Sequence, residues 1–200
     1  LALLKLKGSS HAEALSEKVL VNSLQEILDL KNAHEIPADY YFVSALDLQT
    51  QEIEFQGRLA WCYSDLNLLH VFSLFLNQYP NHPEFFQTRT TATDSVCRRT
   101  TYDQNHLEDP FICHGFAGVA QYYLALSKLH DHPALVESYE YYIEQTLAYY
   151  QERDDAFFSS DVFDSGSCNT SLLYGHVGVC LALLTYLKPA AASWSEIILI

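Results

Sequence analysis

The sequence predicts an all-α protein, an α/α toroid with an inner layer of helices wrapped by an outer one. It is expected here as a partial toroid, with residues 1–200 forming the C-terminal part of one domain. Three observations carry that expectation. Glycine-led apolar helices recur in a single register. Helices that are apolar on one face only lie between them. A chain of 200 residues with 49% hydrophobic and 18% charged residues has enough apolar surface for a sizeable core.

The repeat shows when the chain is compared with itself. Cys113-His114-Gly115-Phe116-Ala117-Gly118-Val119-Ala120 opens an apolar helical pattern that runs to about Leu129. Leu173-Tyr174-Gly175-His176-Val177-Gly178-Val179-Cys180 opens another that runs to about Leu187. Both read Gly-x-x-Gly-Val. A degenerate copy is Cys62-Tyr63-Ser64-Asp65-Leu66-Asn67-Leu68-Leu69, with Ser64 and Asn67 standing where the glycines would be. Register positions 64, 115 and 175 lie 51 and 60 residues apart. One Gly-x-x-Gly alone could be helix packing, but three copies in one register argue against coincidence. Leu1-Ala2-Leu3-Leu4 is similar to Leu181-Ala182-Leu183-Leu184 and reads as the end of a further copy. Leu1 to Lys7 is therefore expected to be the tail of a helix that starts upstream, since no capping residue precedes it and the chain contains no methionine.

The outer elements follow in order. Ser10-His11-Ala12-Glu13 has the pattern of a capping box, and Leu20, Leu24 and Ile27 then recur at helical spacing. Asn81-His82-Pro83-Glu84 and Asp131-His132-Pro133 place proline where a first helical turn tolerates it. After the second, Leu135, Tyr139, Tyr142, Thr146 and Tyr149 fall along one face. The stretches Ile36 to Gly57 and Arg98 to Phe111 read as long irregular loops. Helices apolar on every side need burial on every side, and one-sided helices can cover them. Repeated inner-outer pairs therefore give a toroid or, failing that, a helical solenoid.

Composition narrows the function. A net charge of −14 argues against nucleic acid, whose phosphates need Lys and Arg, and is compatible with a basic peptide partner. No apolar run approaches membrane-spanning length, and Leu1 is followed by no signal-peptide pattern. The expected compartment is cytoplasmic. Five cysteines at irregular spacing do not form a disulfide framework.

In a toroid, equivalent repeat positions converge at one end of the barrel. Cys62 and Cys113 both stand immediately before an inner helix, with His114 beside one of them. Two thiolates and an imidazole suit zinc, and three protein ligands leave the open position of a catalytic site. Buried, inert cysteines are the alternative on these residues alone.

Arg58-Leu59-Ala60-Trp61-Cys62-Tyr63 followed by Ser64-Asp65 resembles the Arg-x-x-Trp-Cys-Tyr-Gly-Asp motif of the LanC-like lanthionine cyclases. Cys113-His114-Gly115-Phe116-Ala117-Gly118 resembles their Cys-His-Gly-x-x-Gly motif. Leu172–Val179 and Trp194-Ser195-Glu196-Ile197-Ile198-Leu199 are similar to the family's C-terminal motifs. The resemblance covers essentially the whole chain. It implies the α/α toroid, and Zn2+ held by Cys62, Cys113 and His114. It implies thioether formation as the reaction, a peptide cysteine adding to dehydroalanine or dehydrobutyrine. It assigns Arg58 and Tyr63 to the active site, with Arg58 stabilising the enolate that develops. A dehydrated precursor peptide is the implied substrate. A dehydratase and a peptide exporter are the implied partners, holding the chain peripherally at the inner face of the membrane.

Each assignment has an alternative. Arg58 pairs with an acidic neighbour, Tyr63 is a hydrogen-bonded core tyrosine, and Asp65 is a helix N-terminal carboxylate. Cys97, Cys168 and Cys180 are expected to be packing or loop cysteines. His70, His106 and His176 are unassigned, with a simple hydrogen-bonded role expected for His176. Ser64 and Asn67 depart from the family's glycines. Both are small and tolerate irregular backbone, so the site is expected to survive with a narrower mouth. By register, the family's catalytic histidine and an aspartate would lie upstream of Leu1, so this stretch is expected to hold metal without completing the reaction. A non-catalytic peptide- or partner-binding scaffold is one rival, and zinc-dependent glutathione addition to dehydro residues is another. A glycosidase is disfavoured because paired carboxylates are not evident.

Overall fold

The computed structural model describes residues 10–55, 57–152 and 170–198. Its helices are α1 (Ser10–Ala33), α2 (Asp65–Gln78), α3 (Pro83–Cys97), a single turn α4 (Tyr102–Asn105), α5 (Phe116–Leu129), α6 (Pro133–Gln151) and α7 (His176–Leu187). A 3-10 segment, Pro189–Ile198, follows α7. The Leu1–Lys7 helix tail, the Ser10–Glu13 capping side chains, Cys168 and Leu199 lie outside what is described.

The fold is all-α, as expected, and the two classes of helix segregate. Glycine-register helices α2, α5 and α7 make an inner row, with α5 packed against α2 on one side and α7 on the other. Proline-led helices α3 and α6 form an outer row, α3 backing α2, α6 backing α5, and the two touching each other. This is an arc of a double-layered α/α toroid. Both outer helices begin at the expected prolines, Pro83 and Pro133.

Aromatic rings fill the space between the layers. Phe72 of α2 stacks on Phe42 and meets Phe85 of α3 edge-on, with centroids 5.6 Å apart in each case. Tyr123 of α5 and Tyr142 of α6 stack at 5.6 Å. Each such fully buried side chain contributes about 1.5–3 kcal/mol. In α1 the buried stripe is Leu20, Leu24 and Leu28, and Ile27 is only half-buried, so the i, i+4, i+8 row faces the core. On α7, Val177, Leu184 and Leu187 are exposed. Among the described residues no helix is long and apolar enough to cross a membrane.

Both stretches expected to be irregular contain ordered pieces. Within Ile36 to Gly57, Ala45–Leu46 (β1) pairs antiparallel with Ile53–Glu54 (β2). The Asp47 carboxylate closes the hairpin by accepting from the backbone N–H groups of Gln49 (2.7 Å) and Thr50 (3.0 Å), an Asx turn. Within Arg98 to Phe111, α4 is held by Thr101 and Gln104 and ends at His106 in the left-handed region (φ 51°).

Candidate metal centre

Each inner helix is preceded by a tight turn, and the three turns are hydrogen-bonded to one another. Trp61 N donates to the Cys113 carbonyl (3.0 Å), and Cys113 N donates to the Leu173 carbonyl (2.9 Å). The repeat positions thus meet as backbone neighbours along one rim of the arc. Beneath the rim lies a small apolar cluster of Ile112, Ala117, Val179, Ala182 and Ile198, with Trp61 packed against it. The Trp61 indole N–H donates to the Ile198 carbonyl (2.8 Å), so the Pro189–Ile198 segment braces the turn that carries Cys62.

On this rim the ligand atoms of Cys62, Cys113 and His114 all lie within 4.8 Å of one another. His114 Nε2 is 3.1 Å from Cys62 Sγ and 3.6 Å from Cys113 Sγ. Tetrahedral zinc, with bonds of about 2.3 Å to sulfur and about 2.0 Å to nitrogen, separates such donors by about 3.5 Å. The donor set and its spacing therefore fit zinc. Cys113 is buried and Cys62 exposed, so one side of the cluster opens to solvent. Partial desolvation first, and the neighbouring Cys113 thiol second, push the Cys62 thiol up to about 11. Two thiols so close resist ionising together unless a cation joins them.

Tyr63 is 41% exposed, and its ring centre lies 5.9 Å from that of His114. That exposure rules out the core-tyrosine alternative. The Tyr174 ring lies 5.6 Å from His114 and its hydroxyl is 3.2 Å from Cys113 Sγ. Tyr63, His114 and Tyr174 occupy the same register position in their three copies. A cavity of about 230 Å³ opens beside Cys62, lined by Phe42, Val43, Tyr63, Asn67 and Leu68 among others.

Arg58 is half-buried in the segment leading to Cys62. Among the described residues it forms no ion pair with a carboxylate, and its charge is felt by the Tyr102 phenol. No described hydrogen bond joins it to the three ligand atoms. Asp65 is the first residue of α2, as a helix N-terminal carboxylate would be, and it does more. It forms a buried ion pair with Arg99 and accepts from the backbone N–H groups of Tyr41 (2.9 Å) and Phe42 (3.0 Å). That contact ties the 41–42 segment and the residues after α3 to the start of α2.

The departures at Ser64 and Asn67 have a structural account. A Cβ at Gly118 would come within 1.8 Å of the Ile112 carbonyl oxygen, and one at Gly178 within 2.0 Å of that of Leu172. Glycine is required there because the turn's carbonyl sits on the helix. The equivalent carbonyl in the first copy belongs to Trp61, and Asn67 Nδ2 donates to it at 2.7 Å. The same amide donates to the Tyr122 hydroxyl (2.8 Å), which also reaches the Trp61 carbonyl (3.2 Å). Ser64 Oγ accepts from Leu66 N and donates to the Ala60 carbonyl, capping α2. Asn67 and Ser64 replace close backbone contact with side-chain hydrogen bonds.

The remaining candidates lie apart from Cys62, Cys113 and His114. His176 Nδ1 is 2.8 Å from the Tyr150 hydroxyl and its ring lies against Phe111, the hydrogen-bonded role expected. His70 is buried edge-on to Tyr122, and burial pushes it down to about 4. His106 packs over Gly57. Cys97 packs against the core, whereas Cys180 is an exposed thiol on α7, in a helix and not a loop. Sequence reasoning missed Tyr174 and the Asn67 latch. The register shared by positions 63, 114 and 174 was the available signal for Tyr174.

Comparison with known proteins gives one result. Neither the curated proteins nor the solved structures contain a match to this chain. The family model of the lanthionine synthetase C-like proteins matches residues 4–199, which takes in both helix layers and all three turns of the rim. With that match over nearly its whole length, the chain belongs to the lanthionine synthetase C-like family.

Proposed function

We propose that this chain is the zinc-bearing portion of a lanthionine cyclase acting on a dehydrated precursor peptide. A peptide cysteine thiol adds across the carbon–carbon double bond of dehydroalanine or dehydrobutyrine. One C–S bond forms, the thiol proton ends on the α-carbon, and nothing leaves. The observation that carries this reading is the convergence of Cys62, Cys113 and His114 within 4.8 Å on a solvent-open rim, in a chain of this family.

Cys62, Cys113 and His114 would hold the zinc and leave a fourth position open. Bound there, zinc supplies a Lewis acid that lowers the pKa of a coordinated thiol to the physiological range. Tyr63, exposed beside His114, orients the peptide at the open face. Arg58 offers a fixed positive charge for the enolate oxygen that develops on addition. The cavity beside Cys62 accepts an apolar side chain flanking the reacting cysteine. A net charge of −14 is compatible with a basic peptide and equally with an acidic solvated surface. The reaction needs a dehydratase to make the acceptor, with export following, which places the chain in the cytoplasm near the membrane through those partners.

The test is metal content by elemental analysis of purified protein, wild type beside Cys113→Ala. The expected result is about one zinc per wild-type chain and none in the variant. Folded wild type without zinc would overturn the reading in favour of a peptide-binding scaffold.

A further inference from the structure

Cys113 is the most enclosed of the three ligand residues, at 2% exposure, yet its sulfur has a neighbour besides His114. Tyr174 Oη stands 3.2 Å from Cys113 Sγ, and the Tyr174 ring packs on His114 at 5.6 Å. One side chain therefore touches two of the three ligand residues. Its position is not accidental to the fold. Tyr174 sits directly before Gly175, as His114 sits before Gly115, and the bond from Cys113 N to the Leu173 carbonyl sets the two turns side by side. The third copy of the repeat, which carries no ligand, thus places a hydroxyl on the ligand set of the second.

The chemistry of the pair is directional. A cysteine that ligates a metal does so as thiolate, which accepts hydrogen bonds and has none to donate. The phenol O–H must then be the donor, and a bond to an ionised acceptor is of the stronger class. Metal-ligating side chains are commonly fixed by such outer partners, whose loss costs about 10–100-fold in metal affinity. Tyr174 is 57% exposed, so its hydroxyl is not needed to fill the core.

Resting on the metal-centre reading above, we propose that Tyr174 is a positioning residue of that centre: its hydroxyl donates to the Cys113 sulfur while its ring steadies His114. No comparable sulfur contact is made by Tyr63, the equivalent residue of the first copy, among the described hydrogen bonds.

The experiment uses Tyr174→Phe, which keeps the ring on His114 and removes only the oxygen. Wild type and variant are loaded with Co2+, and the sulfur-to-cobalt charge-transfer absorption and the affinity against a competing chelator are measured. The proposal expects a shifted charge-transfer band and about tenfold weaker binding in the variant. An unmoved band and equal affinity, with wild type binding Co2+ through thiolates, would overturn the role of Tyr174 alone. Wild type that binds no Co2+ through thiolates would overturn both this role and the metal-centre reading. Far-ultraviolet dichroism of the variant, expected unchanged for so exposed a residue, separates loss of a hydrogen bond from loss of the fold.

Discussion

The turn before α2 and the turns before α5 and α7 hold one equivalent carbonyl in different ways. In the later two, Gly118 and Gly178 let the carbonyls of Ile112 and Leu172 rest against the helix backbone. In the first, Asn67 reaches out to the Trp61 carbonyl with its amide, and Tyr122 reaches the same oxygen from α5. Among the described residues, only the first turn has a further anchor in a buried ion pair, Asp65–Arg99. It also carries the exposed cysteine of the cluster, Cys62, where the second carries the buried one, Cys113. Close backbone packing and a side-chain network can thus hold equivalent points of a repeat. The network draws on residues from several helices, so the first turn is the one more open to disruption from outside itself.

The largest break in that comparison is expected at Asp65. Asp65→Ala leaves the Arg99 guanidinium buried without its partner and frees two backbone donors of the 41–42 segment. A loss of about 3–5 kcal/mol of unfolding free energy is expected in chemical denaturation. A loss under 1 kcal/mol would mean that the pair does not anchor the turn.

Acid offers the next. Register position 70 is histidine in the first copy, where the second has Gln121 and the third Leu181. Burial holds His70 down to about 4 in the folded chain, while an unfolded histidine titrates near 6.5. Between those values the unfolded chain binds more protons, so stability is full above about pH 6.5 and declines as pH falls toward 4. The decline attributable to His70 is about 3 kcal/mol at most. His70→Gln, which gives the first copy the second copy's residue, is expected to flatten the acid limb of a stability–pH curve. An unchanged limb would assign the effect to other groups.

The smallest change sharpens the comparison. Asn67→Ala removes the amide that holds the Trp61 carbonyl but keeps the Cβ that forbids the glycine arrangement. A cost of about 1–2 kcal/mol is expected, with weaker metal retention at Cys62. Equal stability and equal zinc content would show that Tyr122 alone suffices.

The glycines and the proline-led helices were readable because a period exposes them, and the period in turn predicted that Cys62, Cys113 and His114 would meet. Strands of two residues carry no alternation, which is why the Ala45–Leu46 hairpin read as irregular. Its Asp47-x-x-Thr50 turn is a local signal that the sequence does carry. Thr101-x-x-Gln104 was likewise a legible cap for α4. The Asp65–Arg99 pair spans 34 residues and the Trp61–Ile198 bond 137, and neither leaves a local trace in the sequence. Arg58 shows the other limit. A motif assigns it to the active site, but its half-buried place before Cys62 depends on packing that no spacing encodes.

The Trp61–Ile198 bond has a bearing on the order of events. The rim's backbone ties, Trp61 to Cys113 and Cys113 to Leu173, close loops of 52 and 60 residues, whereas this side-chain tie closes a loop of 137. Longer loops lose more entropy on closing, and a chain made from its N-terminus presents Ile198 after the residues of the other two ties. The turn bearing Cys62 is therefore expected to gain its final brace after Cys62, Cys113 and His114 have already met.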